Sequence, residues 1–590
     1  MRSPLVRSPA CPAWSTKRPL APSGLLAGAC LALALLGCSD GARHPDASPP
    51  GPEAPAAVAP PVPTGAAAVL QGRLNAAEGE GALPADERGP LQALYQPGGW
   101  RPLWLDQAHR PGPSAAEAVR LLSGAAAEGL QPADYQAQEL QAKVAAAQSA
   151  GLPGDAEAAA LDLALSRSML RYLRHLHAGR ADPRRMGFRT PEKATDPNAL
   201  AGPLRAALQR QRLGEAVDSL RPPLEQYRSL RAMLARYRSL AEQPAPAPLP
   251  PVGKDLRPGQ PYAGVPALHQ RLVLLGDLPA DAPAPAAGAL YEGPLVDAVK
   301  RFQARHGLPA EGVLGKSTLA ALDVPLARRV RQIELALERM RWFPPLQAQR
   351  FVGINIPMFK LWAGGPQALD GQPALDMDVI VGRALDTETP AMVEEMRYIV
   401  FSPYWNVPRS IVREELLPAL QRNPGHLAAQ EMELVQGPGD DARPVEVTPE
   451  HLALLEQGQL RVRQRPGPKN SLGPAKFIFP NDDAVYLHGT PAQQLFDRSR
   501  RDLSHGCVRV ENPLALAQWA LQDQPEWTRE RIEAAMSAGQ QARVELKQPI
   551  QVLLFYVTAM VSPRDGSIHF ATDIYGHDKK LEQALYGSPA

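Results

Sequence analysis

The amino-acid sequence predicts a multidomain α+β protein with a helical N-terminal part, a small three-helix bundle, and a mostly β C-terminal domain that carries a helical insertion. Three observations indicate this fold class. The chain has 590 residues, which is too long for one hydrophobic core. Its apolar residues recur at helical spacing before residue 350 and alternate in strand fashion after it. Proline-rich stretches at 44–64 and 244–251 separate the parts.

Composition excludes some classes of protein. Hydrophobic residues make up 44% of the chain and charged residues 21%, which favours folded domains joined by proline-rich segments over a disordered chain. The 63 lysines and arginines nearly balance the 61 aspartates and glutamates, and the net charge is +2. Because this balance leaves no basic footprint, we expect no nucleic-acid partner.

The N-terminus predicts an export signal over residues 1–38. Basic residues precede an apolar run at 25–36, which is too short to span a bilayer comfortably. The run ends in Leu-Leu-Gly-Cys38, which resembles the lipobox of bacterial lipoproteins. The resemblance implies that Cys38 is lipidated and anchors the chain in the periplasm. An ordinary signal peptide and an uncleaved anchor are the alternatives. Residues 39–85 are predicted to form a Pro/Ala-rich tether.

The four cysteines lead to one thiol of interest. Cys11 and Cys30 leave with the predicted signal, and Cys38 is consumed by lipid. Cys507 then remains as the single thiol, so no disulfide is expected within the mature chain. A thiol kept in an oxidising compartment is either buried or used for its reactivity.

Two helical regions precede the β domain. Residues 86–250 predict a helical scaffold, since apolar side chains at 161–176 and 230–237 recur at three- and four-residue spacing. Residues 262–325 predict three short helices that form a small bundle. A P-loop is excluded there, because Ala310 stands where the motif needs its first glycine, and no nucleotide is expected.

Within the bundle, the runs AVKRFQARHGL (298–308) and EGVLGKST (311–318) resemble the peptidoglycan-binding domain found in many cell-wall enzymes. That resemblance implies that this part of the chain contacts the wall polymer.

The region 348–580 predicts a mostly β domain. Strand-like patterns occur at 352–356, 379–381, 398–401, 477–479 and 484–487. Between them lies a polar, helical insertion at 408–471. It is long for a loop in a compact domain, and long excursions near a site are often lids, so we expect a capping subdomain.

Two short motifs in this domain carry the residue types of thiol chemistry. His488 ends a predicted strand, and Cys507 lies in the run SHGCVRV at 504–510. A thiol nucleophile needs a base to take its proton, and a histidine can serve near neutral pH. Gly506 allows close backbone approach, which predicts an oxyanion hole that includes the Cys507 N–H. For either motif alone, a buried apolar cysteine or a turn is the ordinary interpretation.

Together the motifs resemble the H-G-[ST] and S-H-G-C-[IV]-R-[VL] signatures of the L,D-transpeptidase family. Segments 401–408, 471–481 and 573–576 resemble its large periplasmic members, which carry a scaffold domain, a peptidoglycan-binding domain and a capped catalytic domain. The resemblance covers roughly residues 86–580.

The resemblance implies acyl transfer between peptidoglycan stem peptides, with a diaminopimelate-type tetrapeptide as donor. Cys507 attacks the carbonyl of the third residue and releases D-alanine. A second stem's amine then resolves the thioester into a 3→3 cross-link, with His488 as base and proton shuttle. No cofactor is expected. The remaining residues that the resemblance assigns are the supporting group Ser504, His505, Gly506 and Arg509, and the substrate-binding group Tyr486, Trp405 and Gly489.

Several alternatives stay open. Arg509 either holds a substrate carboxylate or braces the site, and the two aromatic side chains are otherwise core residues. Water in place of the amine would make the protein an L,D-carboxypeptidase or endopeptidase. With Cys507 inert, it would be a non-catalytic wall-binding lipoprotein. A zinc hydrolase is disfavoured, since the 12 histidines form no cluster with ligand spacing.

Overall fold

The computed structural model describes most of the chain after residue 61. The expected signal at 1–38, with Cys38, lies outside the described residues, as does much of the predicted tether. No described helix combines the length and apolar character needed to cross a membrane. The described residues are 62–76, 83–189, 196, 198–286, 288–344, 350–365, 368, 372–384, 387–423, 425–439 and 441–587.

The predicted fold class is confirmed: the N-terminal part is helical and the C-terminal part is mostly β. The longest N-terminal helix, Asp155–Ala178, buries the apolar stripe that the sequence predicted, because residues three and four apart share one face. The N-terminal helices are α1 Ala66–Asn75, α2 Ala85–Tyr95, α3 Pro113–Ser123, α4 Ala137–Ala150, α5 Asp155–Ala178, α6 Ala201–Arg210, α7 Leu213–Leu220 and α8 Glu225–Ala241.

Helix α1 lies within the predicted tether, so the tether prediction is wrong for residues 66–75. Leu70 and Leu74 are fully buried in the same cluster as the other scaffold helices. The composition there is rich in alanine, which favours a helix, and two leucines four residues apart supply an apolar stripe.

Helix α8 packs away from the other scaffold helices. Tyr227, Leu230 and Leu234 belong to the hydrophobic cluster of the C-terminal sheet, together with the helix Leu326–Met340. The scaffold also supplies a short strand, β1 Phe188–Arg189, that pairs in parallel with the sheet. The scaffold and the C-terminal domain therefore share a core.

The small bundle has the three predicted helices and its own cluster of buried apolar residues. A short pairing between β2 Gln260–Pro261 and β3 Leu290–Tyr291 joins two of its loops. Its helices, and the one that follows, are α9 Val265–Leu275, α10 Pro294–Arg305, α11 Lys316–Leu322 and α12 Leu326–Met340.

The C-terminal domain is built on one large sheet whose hydrogen-bonded path closes on itself. Its strands are β4 Phe351–Asn355, β5 Lys360–Gly364, β6 Leu375–Gly382, β7 Ala391–Phe401, β12 Ala475–Ile478, β13 Leu487–His488, β14 Asp502–Ser504, β15 Val508–Val510 and β16 Ala542–Phe555. The order is β7-β12-β13-β15-β6-β5-β4-β16, and the long strand β16 pairs with β4 on one side and with β7 on the other. Inward side chains of this path are almost all apolar and buried.

Three helices and a hairpin complete the domain. The helices are α17 Pro513–Ala520, α18 Arg529–Ser537 and α19 His577–Tyr586, and the hairpin pairs β17 Ala559–Val561 with β18 Ile568–Phe570.

The insertion at 408–471 is a subdomain with its own core, and it contains a sheet as well as the expected helices. We call this subdomain, together with the short strand β8 Trp405–Asn406 that precedes it, the cap. Its other elements are α13 Arg409–Ile411 with a π-helical turn Val412–Leu416, α14 Leu417–Arg422, α15 His426–Ala429, β9 Met432–Gln436, β10 Arg443–Val445, α16 Pro449–Glu456 and β11 Arg461–Gln464. The four strands run in the order β10-β9-β11-β8, with antiparallel pairings.

One predicted strand is shorter than expected. The alternation at 484–487 predicted a strand, but β13 contains Leu487 and His488 alone. Ala484 has a φ of +53°, which no strand tolerates, so the chain turns there before it enters the sheet.

Candidate active site

The thiol of Cys507 lies at the end of a turn held by Ser504. The Ser504 hydroxyl donates to the Cys507 carbonyl oxygen at 2.5 Å and accepts from the Gly506 N–H at 3.2 Å. Gly506 has a φ of +109°, a conformation that side chains rarely adopt. Its N–H is occupied by Ser504, whereas the Cys507 N–H has no protein acceptor among the described residues.

The loop after β6 stabilises this turn through side-chain hydrogen bonds. Thr389 Oγ1 accepts from the Gly382 N–H and donates to the Gly506 carbonyl oxygen, both at 2.8 Å. Thr387 Oγ1 donates to the Ser504 carbonyl oxygen at 3.1 Å. The Tyr575 hydroxyl donates to the Gly382 carbonyl oxygen at 2.6 Å. A side chain at Gly382 would overlap the backbone of residues 387–389, so glycine is required there.

Strand pairing brings the two predicted catalytic residues to one face of the sheet. β13 and β15 run in parallel, with His488 beside Arg509 and Leu487 beside Val508. Because side chains alternate along a strand, Leu487 and Val508 enter the core, while Tyr486, His488, Cys507 and Arg509 share the other face. The rings of Tyr486 and His488 lie 5.8 Å apart.

Cys507 is partly exposed and is the free cysteine of the described residues. Its Sγ lies 3.8 Å from the carbonyl oxygen of Ala484. Burial raises the pKa of the thiol, and hydrogen bonds from Tyr486 together with the charge of Arg509 lower it; burial outweighs both, so the pKa is above its ordinary value. Burial and the neighbouring Cys507 raise the pKa of Tyr486, which therefore keeps its proton.

His488 is buried, and its imidazole is held by the backbone. Nδ1 lies 2.6 Å from the Gly489 carbonyl oxygen. Burial, and next the charge of Arg509, lower the pKa of His488 to about 3, although contacts with the carbonyls of Gly489 and Leu472 favour the protonated form. The ring is therefore neutral at neutral pH. The thiol's hydrogen bonds go to residues 484 and 486, and none among the described residues joins it to His488.

Arg509 carries a cation beside the thiol without a bracing partner. Its Nε is buried with no hydrogen-bond acceptor, and its guanidinium bonds to no described residue. Burial, and next the charge of Arg383, lower its pKa, while Cys507 raises it. Of the two roles that the sequence left open, the described residues provide no internal bracing, which favours the binding of a substrate carboxylate.

His505 contacts the cap. Its Nε2 lies 3.0 Å from Glu415 Oε1 in the π-helical turn, and the histidine side chain is 35% exposed. This contact joins the turn that bears Cys507 to the insertion. An orienting contact from His505 to the thiol is not formed.

The other residues expected to bind substrate lie in different settings. Trp405 is half-buried against the hydrophobic core of the cap. Gly489 is buried, and a side chain there would meet Pro474 at 2.9 Å and Pro513 at 3.2 Å. Gly489 therefore permits close packing and accepts the hydrogen bond that orients His488.

Four residues of the site were not predicted from the sequence: Gly382, Thr387, Thr389 and Tyr575. Tyr575 lies in the tail segment that resembles the family, but no sequence pattern indicates its role. The others lie more than 110 residues before Cys507 in a run without a recognisable motif. In the described ranges, no three His, Cys, Asp or Glu side chains are grouped so as to hold a metal ion.

Comparisons with known proteins identify three regions of the chain. Residues 351–539 match the family model described as "L,D-transpeptidase catalytic domain". Residues 262–322 match "Putative peptidoglycan binding domain", and residues 89–234 match "Scaffold domain".

A curated protein of Haemophilus influenzae named "Putative L,D-transpeptidase" is 31% identical over 284 residues, which are 47% of this chain and 55% of that protein. This chain thus spans about half the length of that relative. A solved structure described as "Structure of the Ldtfm-avibactam carbamoyl enzyme" is 12% identical and covers 55% of this chain and 98% of its own. Its TM-score of 0.15 is too low to support a shared fold. From the three domain matches in this order, the chain contains a scaffold domain and a peptidoglycan-binding domain before an L,D-transpeptidase catalytic domain.

Proposed function

We propose that this protein is a peptidoglycan L,D-transpeptidase that forms 3→3 cross-links through a thioester on Cys507. The observation that carries the proposal is the shared face of β13 and β15. There a partly exposed thiol, a neutral imidazole and an unpaired guanidinium lie together within the L,D-transpeptidase catalytic domain.

In the first step, Cys507 Sγ attacks the carbonyl carbon of the third residue of a tetrapeptide stem. The thiol proton passes to His488 as the S–C bond forms, because the raised thiol pKa and the lowered imidazole pKa disfavour a resting ion pair. The C–N bond to the fourth residue then breaks. His488 returns the proton to the leaving nitrogen, and D-alanine departs.

In the second step, an amine from another stem attacks the thioester carbon. A C–N bond forms, the C–S bond breaks, and the amine's proton returns to the sulfur through His488. Because the resting contacts of His488 are with backbone carbonyls, the imidazole must turn toward the thiol when substrate binds. In apo proteins catalytic hydrogen bonds are often unformed until the complex assembles.

The developing oxyanion needs donors near Sγ. The Cys507 N–H meets this need, since it lacks a protein acceptor among the described residues, whereas the Gly506 N–H is occupied. The expected export signal would place the reaction in the periplasm, where an anchored lipoprotein meets the wall.

The test is incubation of the full-length protein with disaccharide-tetrapeptides, followed by mass spectrometry. We expect free D-alanine, dimers cross-linked between third residues, and a covalent adduct on Cys507. Tripeptide without dimer would identify the carboxypeptidase alternative instead.

Two variants separate the chemistry from folding. Cys507→Ala should give neither adduct nor product, and His488→Gln should slow acylation by roughly 10²–10⁴-fold, the usual contribution of a positioned base. Wild-type product levels from Cys507→Ala would refute the proposal. Ser537→Ala, at an exposed helix end, is the matched control and should retain full activity.

A further inference from the structure

Arg383 is attached directly to the turn that carries the thiol. It follows β6, and its N–H donates to the Ser504 carbonyl oxygen at 3.0 Å. The same carbonyl accepts from Thr387 Oγ1, so the backbone of this arginine is fixed relative to Cys507. Its side chain is exposed. A rigid backbone with a free, long cationic side chain is suited to reaching a bound anion.

Arg383 and Arg509 carry like charges that act on each other. The charge of Arg383 lowers the pKa of Arg509, and Arg509 in turn lowers the pKa of Cys507. Like charges repel, so two guanidinium groups near one point are unfavourable unless an anion joins them. The Nε of Arg509 is also buried without a hydrogen-bond partner among the described residues, which adds to the unfavourable energy of the pair.

The nearby described carboxylates are engaged elsewhere. Glu388 Oε2 lies 3.2 Å from His577 Nε2, Glu415 pairs with His505, and Asp502 Oδ1 lies 2.7 Å from Arg500 Nε. Among the described residues, none provides a carboxylate within salt-bridge distance of either arginine of the pair. Among the described residues, this leaves the two arginines open to an anion supplied by a ligand.

We propose that Arg383 and Arg509 bind the free carboxylate of the donor's fourth residue, the D-alanine that leaves. This inference rests on the proposed function. Within that residue, the carboxylate carbon is three bonds from the attacked carbonyl carbon, which places it at most about 4 Å away. A carboxylate at that distance from the attacked carbonyl carbon lies beside Sγ of Cys507. The charge of Arg509 acts on the thiol at the same place.

The pair then acts as a specificity determinant. A planar guanidinium binds a carboxylate through two parallel hydrogen bonds. A carboxamide has one oxygen acceptor and no charge, so it forms only one of these two bonds. Donors that end in a free carboxylate at residue four are selected over amidated donors. The second carboxylate of diaminopimelate lies at the far end of its side chain and does not satisfy this geometry.

A first test measures the charge preference of the site without the enzymatic reaction. Iodoacetate and iodoacetamide both alkylate a thiolate, with loss of iodide, but only iodoacetate carries a carboxylate next to the reacting carbon. The ratio of their rates at Cys507 cancels any change in the thiol pKa, because both reagents attack the same thiolate. The ratio is then divided by that of free mercaptoethanol.

We expect wild-type protein to favour iodoacetate, and Arg383→Gln to reduce the normalised ratio about 3- to 10-fold at low salt, as expected for a Coulombic contact near a protein surface. Arg383→Lys should stay within about twofold of wild type, since the charge is retained. Arg397→Gln removes an exposed arginine on β7 that pairs with Glu395, and it should leave the ratio unchanged. An unchanged ratio in Arg383→Gln overturns the proposal.

A second test uses acylation of Cys507 by a tetrapeptide donor and by its C-terminal carboxamide. Arg383→Gln should lose about 10-fold in kcat/KM with the acid and stay within about twofold with the amide, which also shows that the variant is folded. Equal losses with both donors refute the proposal. If neither donor acylates wild-type protein while the alkylation ratio still depends on Arg383, the carboxylate site is supported and the transpeptidase function fails.

Discussion

At the residue scale, the site contains a thiol and an imidazole whose pKa values both favour the neutral form at neutral pH. Burial raises the pKa of Cys507 and lowers that of His488, so neither gains from an ion pair in the absence of substrate. The site thus differs from cysteine sites in which a lowered thiol pKa maintains a standing thiolate. A thiol that stays protonated resists adventitious oxidation, because the thiolate is the reactive form.

This state predicts how alkylation depends on pH. Because the pKa of Cys507 is raised, the thiolate fraction keeps increasing through pH 8.5, near the ordinary pKa of a thiol. The rate of iodoacetamide labelling should therefore rise about tenfold per pH unit between 6.5 and 8.5 without a plateau. The measurement is intact mass against time. A plateau below pH 7 would show a standing thiolate and contradict the assignment.

Arg509 provides a second prediction at this scale. Its positive charge lowers the pKa of Cys507 and also that of His488. In Arg509→Gln both pKa values should rise, and iodoacetamide labelling at pH 7.5 should slow by roughly 3- to 10-fold, the effect of half to one pKa unit. Arg397→Gln is the control. Faster labelling of Arg509→Gln would show that its charge does not act on the thiol.

Sequence reasoning at the residue scale found the residues that are close in the chain to a recognisable motif. Cys507 and His488 were predicted as a pair, and strand register brings them to one face. Thr389 and Tyr575 could not be predicted, because their roles arise from contacts across 117 and 193 residues of sequence. The position of Trp405 depends on the packing of the cap, and no local sequence pattern predicts that packing.

At the element scale, one buried asparagine fixes the exit of the cap. Asn470 is 1% exposed, and its Nδ2 donates to the carbonyls of Pro403 and Arg465, each at 2.9 Å. Its Oδ1 accepts from the Leu472 N–H at 2.8 Å. Entry and exit of the insertion are thereby joined next to the strand that leads to His488.

Asn470→Ala should destabilise the protein by about 2–4 kcal/mol, since it leaves two carbonyls and one N–H unpaired in a buried site. The measurement is the midpoint of urea unfolding of the full chain. Asn423→Ala is the control, because Asn423 is exposed in a cap loop and its side chain accepts a single hydrogen bond. A change below about 0.5 kcal/mol for Asn470→Ala would contradict the role of Asn470 in joining the entry and exit of the cap.

Helices were easier to predict from the sequence than strands. Helices α5 and α11 follow from apolar spacing, which is a local property. The strands of the cap carry charged residues such as Arg443 and Arg461, and their pairing depends on partners far along the chain. The short strand at 188–189 is recognisable through its partner β7 alone.

At the scale of the whole molecule, the catalytic sheet depends on helices that come before it. Helices α8 and α12 complete its hydrophobic cluster. Between them Arg341, which is fully buried, bonds to Glu338 Oε2 at 2.8 Å and to the Tyr227 hydroxyl. Removing one partner from such a buried network leaves an uncompensated charge.

We therefore expect a fragment beginning at residue 348 to aggregate, and a fragment beginning at residue 222 to fold. The shorter piece exposes the apolar surface that α8 and α12 cover in the whole chain. Soluble yield and circular dichroism melting distinguish the two fragments. A soluble, cooperatively melting 348 fragment would show that the sheet is self-sufficient.

The pairing of β8 with β11 has a consequence for how this architecture can vary. Asn406 lies directly opposite Arg463, so the chain leaves the catalytic domain and returns to it at adjacent points. A tight two-residue turn can join such neighbouring strand positions. An insertion of a different length at this point would leave the strand order of the large sheet unchanged.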